Sequence, residues 1–310
     1  MSRRSDRPTQ HNEIKELETA ISKPRLARVP GSHHVVVAGP KGGTGKTTTA
    51  AIVSLVLAEL RGEIVSVFDA TTQLGTLRRR LVSSEEPSTR PFRELCARAL
   101  DGDLLPEWSA LAPYVDVVNG LRVLRSLSSP TGDESLTPAE YAAGVALLRH
   151  AGEIVVSDVG TRTNGPVAVA ALESASTLVL ATEFAYDALE LTVEMVSALA
   201  GQPLSYRPDP DDWSAVSNGR FAPLVAGSVV VVAPGRRQCD ATVRRDVNLA
   251  AMTEWLRVVC GGGVVMVNHD DHLDLGDRIV LAELQLDTAV AYLRAAAVVA
   301  ARFPLTEVNE

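Results

Sequence analysis

The residues with the clearest chemistry lie between positions 39 and 48, where the sequence is Gly-Pro-Lys-Gly-Gly-Thr-Gly-Lys-Thr-Thr. Closely spaced glycines let backbone N–H groups turn toward phosphate oxygens, and the lysine and threonines that follow add an ammonium group and hydroxyls. The pattern therefore predicts a phosphate-binding loop for ATP with Mg²⁺. The residues expected to contact the nucleotide are Gly42, Gly43, Thr44, Gly45, Lys46, Thr47 and Thr48.

The segments on either side of this loop support that interpretation. Residues 34–38 form a short β-branched run, and residues 49–60 contain good helix formers without glycine or proline. A strand, a glycine-rich loop and a helix then follow one another, and the helix N-terminus adds partial positive charge beside the loop. A glycine-rich turn without a ligand is the alternative, and this setting disfavours it.

Two aspartates follow later apolar segments. Asp69 ends the run 63–69, and Asp158 ends the run 153–158. In an open parallel sheet, ligands gather at the carboxyl ends of the strands, so both carboxylates are expected near the loop. Thr47 and Asp69 are predicted to hold Mg²⁺, and Asp158 to orient it through its water shell. An aspartate after a strand is also common as a turn or helix cap, which remains the alternative for Asp158.

The loop departs from the usual phosphate-loop pattern in an informative way. Pro40 stands where a glycine is expected five residues before Gly45, and a lysine comes early, at Lys41. The string 41–48 resembles the deviant Walker A motif of the ParA/MinD family, and the resemblance extends over residues 33–303. It implies that Lys41 reaches across a nucleotide sandwich homodimer to the partner's ATP. A contact with phosphates of its own subunit, or with solvent alone, is the other interpretation of Lys41.

The segment 69–76 is similar to the switch region of the same family, which usually reads Asp-x-Asp-Pro-Gln-Gly-Asn. Asp69 and Gln73 match, but Thr71 replaces the second aspartate, which positions or activates the attacking water. A threonine hydroxyl is a poor base at neutral pH. We therefore expect slow ATP hydrolysis, or hydrolysis that needs help, with Lys41, Lys46 and Asp69 as the catalytic residues.

The alternation of strand and helix patterns predicts an α/β fold, namely a doubly wound, mainly parallel sheet with helices on both faces. Residues 33–310 are expected to form a single P-loop ATPase domain with insertions near 82–113 and 201–221. Residues 1–32 are predicted to be a flexible basic arm, in which residues 12–21 could form a short helix. Strands are predicted near 34–39, 63–68, 115–118, 121–124, 153–158, 177–181, 227–233 and 263–268.

The net charge of −8 argues against a uniformly basic surface for nucleic acid. Local arginine clusters could still join into a patch on folding, and ParA-like proteins bind DNA nonspecifically through such patches. Solvated helix faces, or pairing with nearby acids, are the equally weighted alternative. The arginines concerned are Arg78, Arg79, Arg80, Arg236, Arg237, Arg244 and Arg245.

The apolar segments and the first residues of the sequence predict a cytoplasmic protein. The chain has no apolar stretch of about twenty residues, and no apolar core follows its first residues, Met-Ser-Arg-Arg. The last residues, 303–310, contain acids and no basic amphipathic face, which disfavours membrane binding through the tail.

Two functional classes remain. In the first, a slow ATPase switch positions DNA or a protein cargo, and a protein activator resets it. In the second, the threonine at position 71 leaves a nucleotide-binding scaffold or regulatory partner in secretion or polar organisation.

Overall fold

Eight β-branched segments of the chain form strands in the computed structural model, which describes residues 6–22, 33–61, 63–70, 75–83, 89–126, 136–151, 154–160, 165–201, 219–235 and 243–303. The strands are β1 (His33–Ala38), β2 (Val65–Asp69), β3 (Val115–Val118), β4 (Leu121–Leu124), β5 (Ile154–Asp158), β6 (Thr177–Glu183), β7 (Val229–Ala233) and β8 (Val264–Met266). The predicted strands are confirmed, with shifts of one or two residues at most ends.

The strands make one sheet in the order β3-β4-β2-β5-β1-β6-β7-β8. All neighbours are parallel except β3 and β4, which form an antiparallel pair at one edge. Valine and isoleucine dominate the central strands because both faces of a parallel sheet are covered by helices. Every residue of β1, β2 and β5 is accordingly buried.

Helices connect the strands and cover both faces. They are α1 (Asp6–Ser22), α2 (Lys46–Arg61), α3 (Leu77–Leu81), α4 (Phe92–Leu100), α5 (Trp108–Leu111), α6 (Pro138–Ala151), α7 (Pro166–Ser174), α8 (Tyr186–Ala200), α9 (Ala222–Ala226), α10 (Val243–Val259), α11 (Asp271–Asp274) and α12 (Leu286–Ala301), with 3₁₀ turns at Ala112–Tyr114 and Leu281–Glu283.

Each face of the sheet has its own apolar core. Apolar residues of α1, α2, α3 and α12 pack on one face, and those of α4, α6, α7, α8, α9 and α10 pack on the other. The predicted doubly wound, mainly parallel α/β fold is therefore confirmed. Among the described residues, no helix has both the length and the apolarity needed to cross a bilayer.

Residues 6–22 of the predicted flexible arm, which include the possible short helix at 12–21, form α1. This helix packs against α12, where Gln10 Nε2 donates a hydrogen bond of 2.7 Å to Asp287 Oδ1 and Arg294 pairs with Glu13. Ile21 is fully buried in the core beneath α12. The rest of the predicted arm, residues 1–5 and 23–32, lies outside the described residues.

The predicted insertion near 82–113 contributes to the core. Phe92 at the start of α4 stacks on Phe68 of β2, with ring centroids 4.0 Å apart. Helix α4 also packs closely on α6, since Gly144 leaves no room for a side chain beside Cys96. Residues 202–218 of the other predicted insertion lie outside the described residues.

We expect Ile21→Ala to lower the free energy of unfolding by about 2–5 kcal/mol, because it leaves a cavity where α1 meets the core. Urea denaturation of the full chain measures this change. Glu16→Ala, on the exposed side of the same helix, is the matched control and should change stability by no more than about 0.5 kcal/mol. Equal small effects of both substitutions would show that α1 does not dock in solution.

Candidate nucleotide-binding site

The glycine-rich loop 39–45 joins β1 to α2 at the carboxyl end of the sheet. Gly43 and Gly45 have φ angles of 79° and 82°, a region that side chains disfavour. Gly39 packs directly against the carbonyl oxygen of Ala181 in β6, where a larger residue would collide. The loop therefore adopts a backbone conformation that requires the predicted glycines. The N-terminus of the 16-residue helix α2 follows it immediately.

Lys46 begins α2 and is buried against the loop. Its Nζ donates a hydrogen bond of 2.6 Å to the carbonyl oxygen of Lys41. Burial lowers the pKa of Lys46, and the nearby carboxylates of Asp158 and Asp69 oppose that change. A buried ammonium beside a glycine-rich loop and a helix N-terminus is well suited to bind an anion such as phosphate.

Thr47 and the two predicted aspartates meet beneath the loop. Thr47 Oγ1 donates a hydrogen bond of 2.5 Å to Asp158 Oδ2. Asp69 and Asp158 hold matched positions in the parallel register of β2 and β5, so their carboxylates are neighbours. Burial, and then the charge of Asp69, raises the pKa of Asp158 to about 7. Strand pairing thus brings the two predicted aspartates together, and the hydrogen bond from Thr47 joins the third predicted metal residue to Asp158.

These residues fit a magnesium ion. Asp158 Oδ1 is buried and has no hydrogen-bond partner among the described residues, so it is free to accept from a metal-bound water. The described part of the chain contains no group of three or more His, Cys, Asp or Glu side chains that could enclose a metal. The Thr47 hydroxyl with two neighbouring carboxylates suits Mg²⁺, which keeps several waters and takes few protein ligands beside phosphate oxygens.

The switch segment reaches the same cluster. A side chain at Gly75 would collide with Asp69 Oδ2 and with Ser126 Oγ, so the backbone at Gly75 lies directly on the carboxylate. The sequence analysis missed Ser126, which follows β4 and has no motif around it. Thr71 and Gln73 lie outside the described residues.

Lys41 lies at the outer side of the loop. Its Nζ is 2.6 Å from Asp187 Oδ2 and 3.9 Å from Glu183 Oε2, and about a quarter of its side chain is exposed. The hydrogen bond from Lys41 lowers the pKa of Asp187. No local motif marks these two acids as partners of Lys41, because they lie at the end of β6 and in α8, far along the chain.

The predicted arginine patch is wrong for two of its residues. Arg78 and Arg80 are each only 7% exposed, and Arg78 Nε donates a hydrogen bond of 2.8 Å to Asp116. The short helix α3 packs on α2 and β2, which turns both side chains inward and leaves Arg79 exposed. The side chains of Arg236, Arg237, Arg244 and Arg245 lie outside the described part of the structure.

Comparison with known families agrees with this geometry. Residues 35–304 match the family described as the CobQ/CobB/MinD/ParA nucleotide binding domain. Comparison with curated proteins gave no significant match.

Several solved structures share the fold. A ParA family ATPase from Chlorobium tepidum TLS has 13% identity and a TM-score of 0.58, with 89% of this chain and 99% of that chain covered. The cell division ATPase MinD of Pyrococcus furiosus has 15% identity and a TM-score of 0.59, covering 86% and 98%. The Cyanothece McdA(D38A)-ATP complex has 20% identity and a TM-score of 0.53, covering 86% and 96%.

The raised pKa of Asp158 predicts a specific pH dependence of stability. In the folded state the Asp158 carboxyl has a pKa of about 7, whereas in the unfolded state it should have the ordinary value of 3.8. The folded state therefore binds the proton more tightly, and the free energy of unfolding decreases as the pH rises from about 4 to about 7. Asp158→Asn removes that loss. We therefore expect the nucleotide-free variant to melt at least about 3 °C above the wild type at pH 8, with the gap closing toward pH 4.

Thermal unfolding between pH 4 and pH 8 measures this gap. Asp69→Asn is the matched control. It removes the neighbouring negative charge, so the pKa of Asp158 should be lower and the decrease in stability should end at a lower pH than in the wild type. Melting curves of wild type and Asp158→Asn that stay parallel across this range would contradict the prediction.

Proposed function

We propose that this chain, which belongs to the CobQ/CobB/MinD/ParA nucleotide-binding domain family, is a slow ATPase switch that binds Mg-ATP and closes into a homodimer around the nucleotides. The observation that carries the proposal is the hydrogen bond between Thr47 and Asp158 directly beneath the glycine-rich loop. This hydrogen bond joins a hydroxyl of the phosphate-binding loop motif to a carboxylate that is predicted to orient Mg²⁺.

In the proposed complex, backbone N–H groups of residues 42–47 and the N-terminus of α2 bind the phosphates. Lys46 exchanges its bond to the Lys41 carbonyl for the β and γ phosphates. Bound Mg²⁺ would offset phosphate charge, held by Thr47 with Asp69 and Asp158 close by. Occupation of the site by this cation would also favour the ionised form of Asp158.

The dimer depends on Lys41. In the single subunit, its ammonium pairs with Asp187, whose side chain is 64% exposed. An exposed pair of this kind contributes only about 0–1 kcal/mol, so its release in favour of a triphosphate across an interface costs little. We propose that ATP closes the dimer through this exchange, and that opening follows hydrolysis to ADP and phosphate.

Turnover is proposed to be slow because Thr71 occupies the position at which the family resemblance expects an aspartate. That same residue favours the second candidate, a scaffold that remains dimeric with ATP and acts through protein partners. The switch proposal includes nonspecific contact with DNA. Because Arg78 and Arg80 are buried, the arginines proposed to make this contact are Arg79, Arg236, Arg237, Arg244 and Arg245. A protein activator or cargo adaptor completes the proposed cycle.

We expect Lys46→Ala to abolish nucleotide binding or dimer closure, and Lys41→Ala to retain nucleotide binding but remain monomeric. Light scattering with Mg-ATP and with Mg-ADP measures the molar mass, and fluorescence of a labelled nucleotide measures binding. Lys15→Ala, an exposed lysine on α1, is the matched control and should behave as wild type. Normal ATP-driven dimers of Lys41→Ala would disprove the role of this lysine across the interface.

We expect Thr71→Asp to raise the rate of phosphate release at least about tenfold, since a general base commonly contributes far more than that. Phosphate release with Mg-ATP measures the rate. The adjacent Thr72→Asp is the matched control, because it adds the same charge one position away. If both variants keep the wild-type rate, Thr71 does not face the attacking water, and the argument from this residue for slow turnover or for a scaffold fails.

A further inference from the structure

Arg80 is the buried cation that joins the helix after the loop to a distant segment of the chain. Its Nη1 donates a hydrogen bond of 3.0 Å to the carbonyl oxygen of Asp277, and its Nη2 donates one of 3.2 Å to that of Leu273. The same Nη2 donates a hydrogen bond of 3.2 Å to Thr48 Oγ1. The guanidinium therefore spans α2 and the connection between β8 and α12.

The backbone of Arg80 is fixed as firmly as its side chain. The amide of Ile279 donates a hydrogen bond of 2.8 Å to the carbonyl oxygen of Arg80, and the amide of Arg80 donates one of 3.2 Å to that of Thr76. A side chain held at both ends has little rotamer freedom left, which is the condition for holding a neighbouring group in place.

Packing alone does not account for an arginine at this position. Burial lowers the pKa of Arg80, and nearby Tyr292 and Asp277 oppose the change. An apolar residue of similar volume would avoid the desolvation of a charged group. The two carbonyl contacts satisfy part of the guanidinium, and its third hydrogen bond among the described residues is made to a side chain of the glycine-rich loop motif.

That contact determines what the Thr48 hydroxyl can do. A hydroxyl carries one proton and two lone pairs. Arg80 occupies a lone pair, and among the described residues no acceptor takes the Thr48 proton. The proton is thus available to an acceptor that enters the loop. A nucleotide phosphate oxygen is such an acceptor, since Thr48 lies in the first turn of α2, half-buried beside Thr47.

We propose that Arg80 is a positioning residue that holds the Thr48 hydroxyl as a hydrogen-bond donor to a phosphate of the bound nucleotide. The inference rests on the proposed nucleotide site.

A double-mutant cycle tests this role. The affinity for fluorescent methylanthraniloyl-ADP with Mg²⁺ is measured for wild type, Arg80→Met, Thr48→Val and the double variant. We expect Arg80→Met to weaken binding by about tenfold in the wild-type background, as for a lost hydrogen bond to a charged group, and by less than about twofold in the Thr48→Val background. Arg278→Met, an exposed arginine of the segment that Arg80 contacts, should bind as wild type.

Arg80→Lys guards against a loss of folding, which thermal unfolding monitors for every variant. Lysine keeps the charge but has one donor nitrogen in place of the planar guanidinium, so this variant should bind the nucleotide more tightly than Arg80→Met but less tightly than the wild type. If Arg80→Met does not fold, Arg80→Lys takes its place in the cycle. Equal losses in both backgrounds would mean that Arg80 acts only through the fold, and would overturn the inference while leaving the nucleotide site intact. Failure of the wild type to bind the nucleotide would instead overturn the proposed function together with the inference.

Discussion

The parallel register of β2 and β5 is the constraint on which the rest of the site depends. It places Asp69 beside Asp158 at the carboxyl end of the sheet, where burial and then the negative charge of Asp69 raise the pKa of Asp158. Such a pair is unfavourable unless a cation lies close, and Lys46 and the hydroxyl of Thr47 are the groups that the loop brings to it. Two adjacent buried carboxylates are an arrangement that a nearby cation stabilises.

The loop above this pair is shaped by the strands on its other side. Gly39 packs on the backbone of β6, and a side chain at Gly45 would approach Ala233 at the end of β7. Because β1 lies between β5 and β6, the loop that follows it is flanked by Asp158 at the end of β5 and by Glu183 at the end of β6. The sheet order thus positions both the anion-binding and the cation-binding groups.

Distant segments hold this arrangement in place through a few polar contacts. Arg61 donates hydrogen bonds to Glu63 and to the carbonyl oxygen of Ile21, which connects the end of α2 to α1. Arg80 connects the beginning of α2 to the segment before α12. Buried arginines suit such connections because the planar guanidinium carries several donors in fixed directions. Both ends of α2 are therefore tied to α1 and to the connection that precedes α12.

The positions of the strands, and the polar residues at their ends, could be predicted from local sequence patterns. Valine-rich runs bounded by turn residues mark β1, β5 and β7 locally, and the glycine pattern of residues 39–48 needs no distant information. The same local patterns placed Asp69 and Asp158 at strand ends, and the parallel fold class then brought them to one edge.

Which charged side chains face the interior could not be predicted in this way, because it depends on how the elements pack. Three consecutive arginines, 78–80, have the same local chemistry, but the packing of α3 buries the first and the third and exposes the second. Docking of α1 on α12 and the pairing of Lys41 with Asp187 likewise depend on segments far apart in the chain. Hydrophobic periodicity is a local property, whereas the partner of a buried charge is set by which elements meet in space.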